Sequence, residues 1–235
     1  MPGRLYLLPA WLAEDSDPAA VLPAPVLERI RALDAFVVEN AKSARRFLAA
    51  CGHPKPMREV AMAELNEHTA ESAVAHLLEP ALAGRDLGLL SEAGVPAVAD
   101  PGAALIALAH ARGVPVVPCV GPSSILLALM ASGLQGQRFR FAGYLPADSA
   151  ARKAAITELE RRSTRDGETQ VFIETPYRND SLLADLLASC RPSTRLCVAA
   201  DLTGPQESIR SESIERWRAR PAPLGKQPAI FLLLA

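Results

Sequence analysis

Neither sign of charge dominates this sequence: 25 Lys and Arg stand against 26 Asp and Glu, a formal charge of −1. Global charge therefore marks neither a nucleic-acid binder nor an acidic tail. No apolar run approaches the roughly 20 residues that crossing a bilayer requires, so no integral membrane protein is expected. The opening MPGRLYLLPAWLAED sets one Arg before apolar residues, as a leader peptide does. Pro9 cuts that run short and its flank is acidic, so a first β-strand is the better reading. Cysteine is scarce: Cys51, Cys119, Cys190 and Cys197 form no C-x-x-C pair, and the four His form no H-E-x-x-H or Cys/His cluster. Reduced thiols, a cytoplasmic setting and no metal centre are expected. Collagen-like, disordered and coiled-coil compositions are excluded. G-x-G-x-x-G, G-x-x-x-x-G-K-[ST] and G-x-S-x-G are all missing. Leu8-Pro9-Ala10-Trp11 cannot form the glycine-rich turn that the commonest methyltransferase architecture places after its first strand.

What is present is alternation. At 235 residues the chain can hold one large domain or two of about 120 residues. Strand-length apolar runs are expected at Leu5–Leu8, Phe36–Glu39, Leu87–Leu90 and Val114–Val117. Between them helical periods cover Val26–Leu33, Ser43–Ala50, Ala70–Ala83 and Ala103–Ala111, and the helix Ser123–Ala131 follows. The pattern then repeats more loosely: strands at Arg140–Ala142, Gln170–Ile173 and Leu196–Ala199, helices at Arg152–Arg162 and Leu182–Ala188. Glu207–Arg210 and Ile230–Leu234 read as strands around a short helix at Ile214–Arg218, which suggests antiparallel pairing. The fold expected is α/β and two-lobed, with a mostly parallel sheet in residues 1–118 and a mixed sheet in residues 119–235. No internal repeat or low-complexity tract is seen.

One device recurs: a strand, a small or polar residue, then Pro opening a helix. It occurs at Asp100-Pro101-Gly102, Gly121-Pro122-Ser123-Ser124 and Glu174-Thr175-Pro176-Tyr177-Arg178. Pro at the first helical position leaves outward-pointing N–H groups with partial positive charge. Beyond the carboxyl ends of parallel strands such turns line ligand crevices. The plainer reading is ordinary capping by Asp100 and Thr175.

The richest segment runs from Ser91 to Gly102. A buried strand ends in Ser91-Glu92, and Gly94 permits a positive φ and close backbone approach to a ligand. With the turn Val120-Gly121-Pro122-Ser123-Ser124 downstream, this arrangement resembles the tetrapyrrole methylase superfamily of S-adenosylmethionine-dependent methyltransferases. Within it the likeness is greatest to the branch of ribosomal RNA small-subunit methyltransferase I, which methylates a ribose 2′-oxygen. Nearly the whole chain is covered, with Val38-Glu39, Asn66-Glu67, Gly143–Pro146, Phe172–Arg178 and Ala199–Thr203 in support.

The resemblance implies a two-lobed enzyme, usually a homodimer, that folds S-adenosyl-L-methionine into the cleft between its lobes. By position the donor would touch Glu92, Ala93, Gly94, Val95, Ser123 and Ser124, then Glu174, Thr175, Leu202, Pro228 and Ala229. Exposed helix N–H groups suit a zwitterionic methionine moiety, and apolar backbone walls suit adenine. In-line transfer from a sulfonium draws much of its rate from positioning. A ribose hydroxyl is a poor nucleophile, so Glu39 and Glu67 are candidates for base or acceptor positioning, set against a solvated or capping role.

The departures from the branch fall mostly where an acceptor would lie. A Pro-Thr-Pro-Ile-Gly-Asn-like first loop is replaced by Pro9-Ala10-Trp11-Leu12-Ala13-Glu14, Asp-Thr-Arg by Asn40-Ala41-Lys42, a His by Leu65 and an Asp by Glu92. The extra C-terminal segment of the ribosomal enzymes is also absent. Basic residues cluster at Lys42, Arg45, Arg46, Lys55 and Arg58, either facing phosphate or as a solvated face. Arg178 reads as a structural partner of a carboxylate or a phosphate ligand. Trp11 and Trp217 read as packing anchors, with Trp11 alternatively stacking on an acceptor base. RNA is the leading acceptor. A tetrapyrrole or other small molecule, a non-catalytic donor-binding regulator, and a plain interaction module remain as alternatives.

Overall fold

A computed structural model describes every residue except Asp15 and Glu67. The chain divides into two compact units, Met1–Ser123 and Ser124–Ala235. The first contains β1 (Leu5–Leu8), α1 (Pro18–Val21), α2 (Ala24–Ala32), β2 (Ala35–Val38), α3 (Ala41–Ala50), β3 (Ala61–Glu64), α4 (Glu71–Leu77), α5 (Glu79–Leu82), β4 (Leu87–Leu90), α6 (Ala103–Ala111) and β5 (Val116–Pro118). The second contains α7 (Ser124–Ser132), β6 (Phe139–Tyr144), α8 (Ser149–Asp166), β7 (Thr169–Glu174), α9 (Asn179–Ser189), β8 (Arg195–Ala200), β9 (Ser208–Ser213), α10 (Ile214–Ala219) and β10 (Ala229–Leu234).

The first sheet is parallel throughout, in the order β3-β2-β4-β1-β5. Its three inner strands, β2, β4 and β1, read as unbroken apolar runs because both faces are covered. Tyr6, Leu8, Phe36, Val38 and Leu90 pack with Ile30 and Phe47, while Leu5, Ala35, Val37, Leu87 and Leu89 pack with Leu78 and Leu105 on the other side. Gly88 is small for a steric reason. A Cβ there would come within 2.7 Å of Leu8 and 2.8 Å of Phe36.

The second sheet is mixed, in the order β6-β7-β10-β8-β9. β6 and β7 are parallel, and the remaining pairs are antiparallel. Phe172 and Phe231 stack at 5.8 Å in a core closed by Leu182, Leu186, Ile214 and Trp217. Arg152 and Asp185 form a buried ion pair at 2.6 Å, joined by Ser149 and Lys153. The Asp185 carboxyl is pushed up by burial but held below its ordinary value by those hydrogen bonds together.

Several expectations are corrected. Residues 70–83 form two helices rather than one, because Pro80 has no N–H and its ring crowds the carbonyl four residues back. β3 lies in a stretch with no β-branched residue and pairs only as an edge strand. Asp17 caps α1, a short helix in the acidic, Pro-rich segment after β1, by accepting the Ala19 N–H. Neither Asp100 nor Thr175 caps a helix through its side chain: Gly102 precedes α6 at φ 138°, and Thr175 precedes a 3₁₀ turn, Pro176–Arg178, without a capping bond. The buried thiols Cys51, Cys190 and Cys197 are pushed by burial up to about 12, 12 and 11.

Candidate functional site

In the first unit the carboxyl ends of β2, β3 and β4 collect carboxylates. Glu39 follows β2, and its Oε2 accepts the Glu92 N–H at 3.2 Å. Glu92 Oε1 accepts from Ser43 Oγ at 2.9 Å, and Glu64 Oε1 accepts the Ala41 N–H at 3.0 Å. Asn40 caps α3 by accepting from the N–H groups of Lys42 and Ser43. Asp100 joins this group. Its carboxyl is raised to about 6, first by burial and then by the Glu39 charge, against a hydrogen bond with Ser91. A carboxyl in that range beside an ionised neighbour can hold or accept a proton near neutral pH.

The loop carrying Glu92 and Asp100 is strained and pinned. Gly94 and Gly102 have φ of 72° and 138°, and two alanines, Ala97 and Ala99, also sit in the left-handed region at 63° and 65°. Each such alanine costs about 1–2 kcal/mol, which the surroundings must offset. Gly94 O accepts the Ala10 N–H at 2.7 Å, and Gly94 N–H donates to Trp11 O at 3.3 Å. The backbone amide of Gly94 is thus engaged with the first loop. Gly121 approaches that same loop so closely that a Cβ would lie 2.2 Å from Pro9 Cγ. Trp11 is buried edge-on against Phe47 at 5.3 Å, so its ring serves as a packing anchor and is not available to stack on an acceptor base.

In the second unit the register gathers a different set. Glu174 at the end of β7 and Ala200 at the end of β8 both lie opposite Ala229, the first residue of β10. Pro228 O accepts the Asp201 N–H at 2.9 Å. The turn after β8 holds Asp201 and Thr203 at φ 50° and 65°. Thr203 N–H donates to Glu207 at 2.7 Å, and Gln206 N–H to Asp201 at 2.8 Å. Asn179 Nδ2 donates to Gln227 O at 2.7 Å, which fixes the approach to Pro228. Arg178 is a structural partner of a carboxylate: its Nε and an Nη donate to Glu174 Oε1 at 2.9 and 2.6 Å.

Glu39, Glu92, Ala93, Gly94 and Val95 therefore share one strand-end region, and Glu174, Thr175, Leu202, Pro228 and Ala229 share one end of the second sheet. Ser123 closes the first unit and Ser124 opens α7. Glu67 lies outside the described residues. Asp100 was missed as a site residue because a polar residue before Pro reads as a cap. Its place between Gly94 and Gly102 was the available signal. Thr203 and Asn179 gave none, since their burial depends on the turn and the β10 approach.

Comparison with known proteins identifies the family. The family described as Tetrapyrrole (Corrin/Porphyrin) Methylases matches residues 20–216. A Ribosomal RNA small subunit methyltransferase I of Xylella fastidiosa is 33% identical over 209 residues, covering 88% of this chain and 71% of that protein. Its counterpart of Vibrio cholerae is 31% identical, covering 88% and 67%. Among solved structures, uroporphyrin-III-C-methyltransferase from Thermus thermophilus aligns with a TM-score of 0.57 at 20% identity, covering 100% of this chain and 93% of that one, and shares the fold. The chain is a methyltransferase and belongs to the tetrapyrrole (corrin/porphyrin) methylase family.

Proposed function

We propose that this methyltransferase takes its methyl group from S-adenosyl-L-methionine and places it on RNA of the small ribosomal subunit, at a ribose 2′-oxygen. The relatives named above support the acceptor class, since they carry that designation over most of this chain. The donor contacts assigned are Glu92, Ala93, Gly94, Val95, Ser123 and Ser124, with Glu174, Thr175, Leu202, Pro228 and Ala229 of the second unit. The residues present suit such a molecule. Ala200, Pro228 and Ala229 offer apolar walls at the end of the second sheet, and buried oxygens of Glu174 and Thr203 there have no partner among the described residues.

The observation that carries the chemistry is the pairing of carboxyls beyond β2 and β4. Glu39 orients the Glu92 backbone, and Asp100 beside it titrates at about 6. A ribose hydroxyl loses its proton as it attacks, and a carboxylate poised just below neutral pH is suited to receive it. Asp100, with Glu39 and Glu67, is assigned to acceptor positioning or proton transfer. No helix among the described residues is long and apolar enough to cross a membrane. The enzyme is proposed to work in the cytoplasm as a homodimer, for which Leu126 and Met130, one turn apart on α7 and 55% and 80% exposed, offer apolar surface.

The test supplies donor carrying a labelled methyl group to small-subunit particles lacking the modification, to naked RNA and to a reduced tetrapyrrole. Label in ribose 2′-O-methyl nucleosides is expected. Label confined to the tetrapyrrole would overturn the acceptor. A donor that binds yet labels nothing would leave a regulator instead.

A further inference from the structure

We infer that Tyr177, with Lys226 over one face of its ring, is a stacking platform for an unpaired nucleobase of the RNA acceptor. This rests on the reading above that the acceptor is RNA, and it concerns the acceptor alone.

Tyr177 stands apart from the other rings of the chain. Trp11, Trp217, Phe172 and Phe231 are buried, whereas Tyr177 is 80% exposed, more than any other aromatic side chain among the described residues. A ring left in water adds little to the core. Its backbone is nevertheless held firmly. Pro176 opens the 3₁₀ turn, the Arg178 N–H donates to Thr175 O at 2.9 Å, and the Arg178 guanidinium is tied to the buried Glu174 carboxylate. Little backbone freedom is left to lose when something settles on the ring, which favours binding.

Lys226 reaches the ring from a neighbouring segment. Glu174 at the end of β7 lies opposite Ala229 at the start of β10, so the turn after β7 and the approach to β10 emerge side by side. The start of α9 fixes that approach on both sides of Lys226. Asp180 Oδ1 accepts the Leu224 N–H at 2.6 Å, and Asn179 Nδ2 donates to Gln227 O at 2.7 Å. Gly225 makes the turn between them at φ 65°. Lys226 Nζ then sits 5.3 Å from the centroid of the Tyr177 ring, within the range of a cation–π contact.

The result is a flat π surface and a positive charge held next to each other and open to solvent. A single nucleotide matches both, since its base is flat and its phosphate anionic. A protein hot spot would instead surround such a ring with side chains that exclude water. Gly225 and Gln227, which flank Lys226, bring no apolar side chain. Gln227 is engaged with Gln206 at 2.5 Å.

Methyl-transfer kinetics on small-subunit particles and naked RNA, with calorimetry of S-adenosylhomocysteine binding and thermal unfolding, test the platform. Tyr177→Ala should raise the KM for RNA about tenfold, the loss falling on KM rather than kcat, with donor affinity and melting temperature unmoved. Tyr177→Phe should recover the affinity, because the ring and not the hydroxyl stacks. Lys226→Met should weaken RNA binding and lower the slope of log affinity against log salt by about one. In Tyr177→Trp the added indole emission should be quenched by RNA. An unchanged KM for Tyr177→Ala, or a lower melting temperature or weaker donor binding in that variant, would overturn the platform. So would a raised KM with indole emission that RNA leaves unmoved, which would assign Tyr177 to a protein of the particle. A wild-type chain that methylates no RNA would overturn the acceptor reading beneath it.

Discussion

Replacing Asp100 with Asn should stabilise the protein at high pH and leave it unchanged in acid. The folded carboxyl titrates at about 6 instead of 3.8, through burial first and the Glu39 charge second. A carboxyl whose folded value is raised contributes stability in its protonated form. That contribution is complete below about 3.8 and is lost as pH rises through 6. The full difference corresponds to roughly 3 kcal/mol at about 1.36 kcal/mol per pH unit, and solvent access to a partly exposed side chain lowers it to about 1–2 kcal/mol. Asp100→Asn carries no charge, so it should equal the wild type near pH 4 and exceed it by that amount at pH 8. Urea unfolding followed by Trp11 fluorescence, in a Trp217→Phe background to isolate the first unit, reads the difference. Glu39→Gln should shrink the pH dependence by removing the neighbouring charge. A difference between Asp100→Asn and wild type that is the same at pH 4 and pH 8, or a less stable variant at pH 8, would refute the reasoning.

Other expectations concern particular contacts. Asp185→Ala leaves Arg152 buried without its 2.6 Å partner and should cost about 3–5 kcal/mol in denaturant unfolding, whereas the double replacement Arg152→Met/Asp185→Leu should cost far less. Gly121→Ala sets a methyl group 2.2 Å from Pro9 Cγ, so it should both destabilise the first unit in thermal unfolding and weaken donor binding by displacing the loop that pins Gly94. Thiol titration without denaturant should modify Cys119 first, because Cys51, Cys190 and Cys197 are buried thiols with raised values.

Much of the architecture was legible because parallel strands covered on both faces leave continuous apolar runs. Phe36–Val38 and Leu87–Leu90 carry no polar residue that would blur their edges. β3 was not legible, since Ala61-Met62-Ala63-Glu64 has neither alternation nor β-branching and gains its place from pairing with β2. The break at Leu78 was written in Pro80, yet the helical period ran across it. For the site, Ser91–Gly102 stood out through its glycines, but the left-handed alanines Ala97 and Ala99 carry no sequence mark. The role of Asp100 depends on Glu39, 61 positions away in the chain and brought near by the order of strands β2 and β4. The buried oxygens of Glu174 and Thr203 follow from tertiary enclosure, which no local pattern encodes.

Equilibrium titration of the purified chain with S-adenosylmethionine tests the central claim most directly. One molecule should bind per chain, and saturating donor should raise the melting temperature in proportion to the logarithm of its concentration. A chain that keeps its fold but takes up no donor at millimolar concentration, with an unmoved melting temperature, would contradict the account.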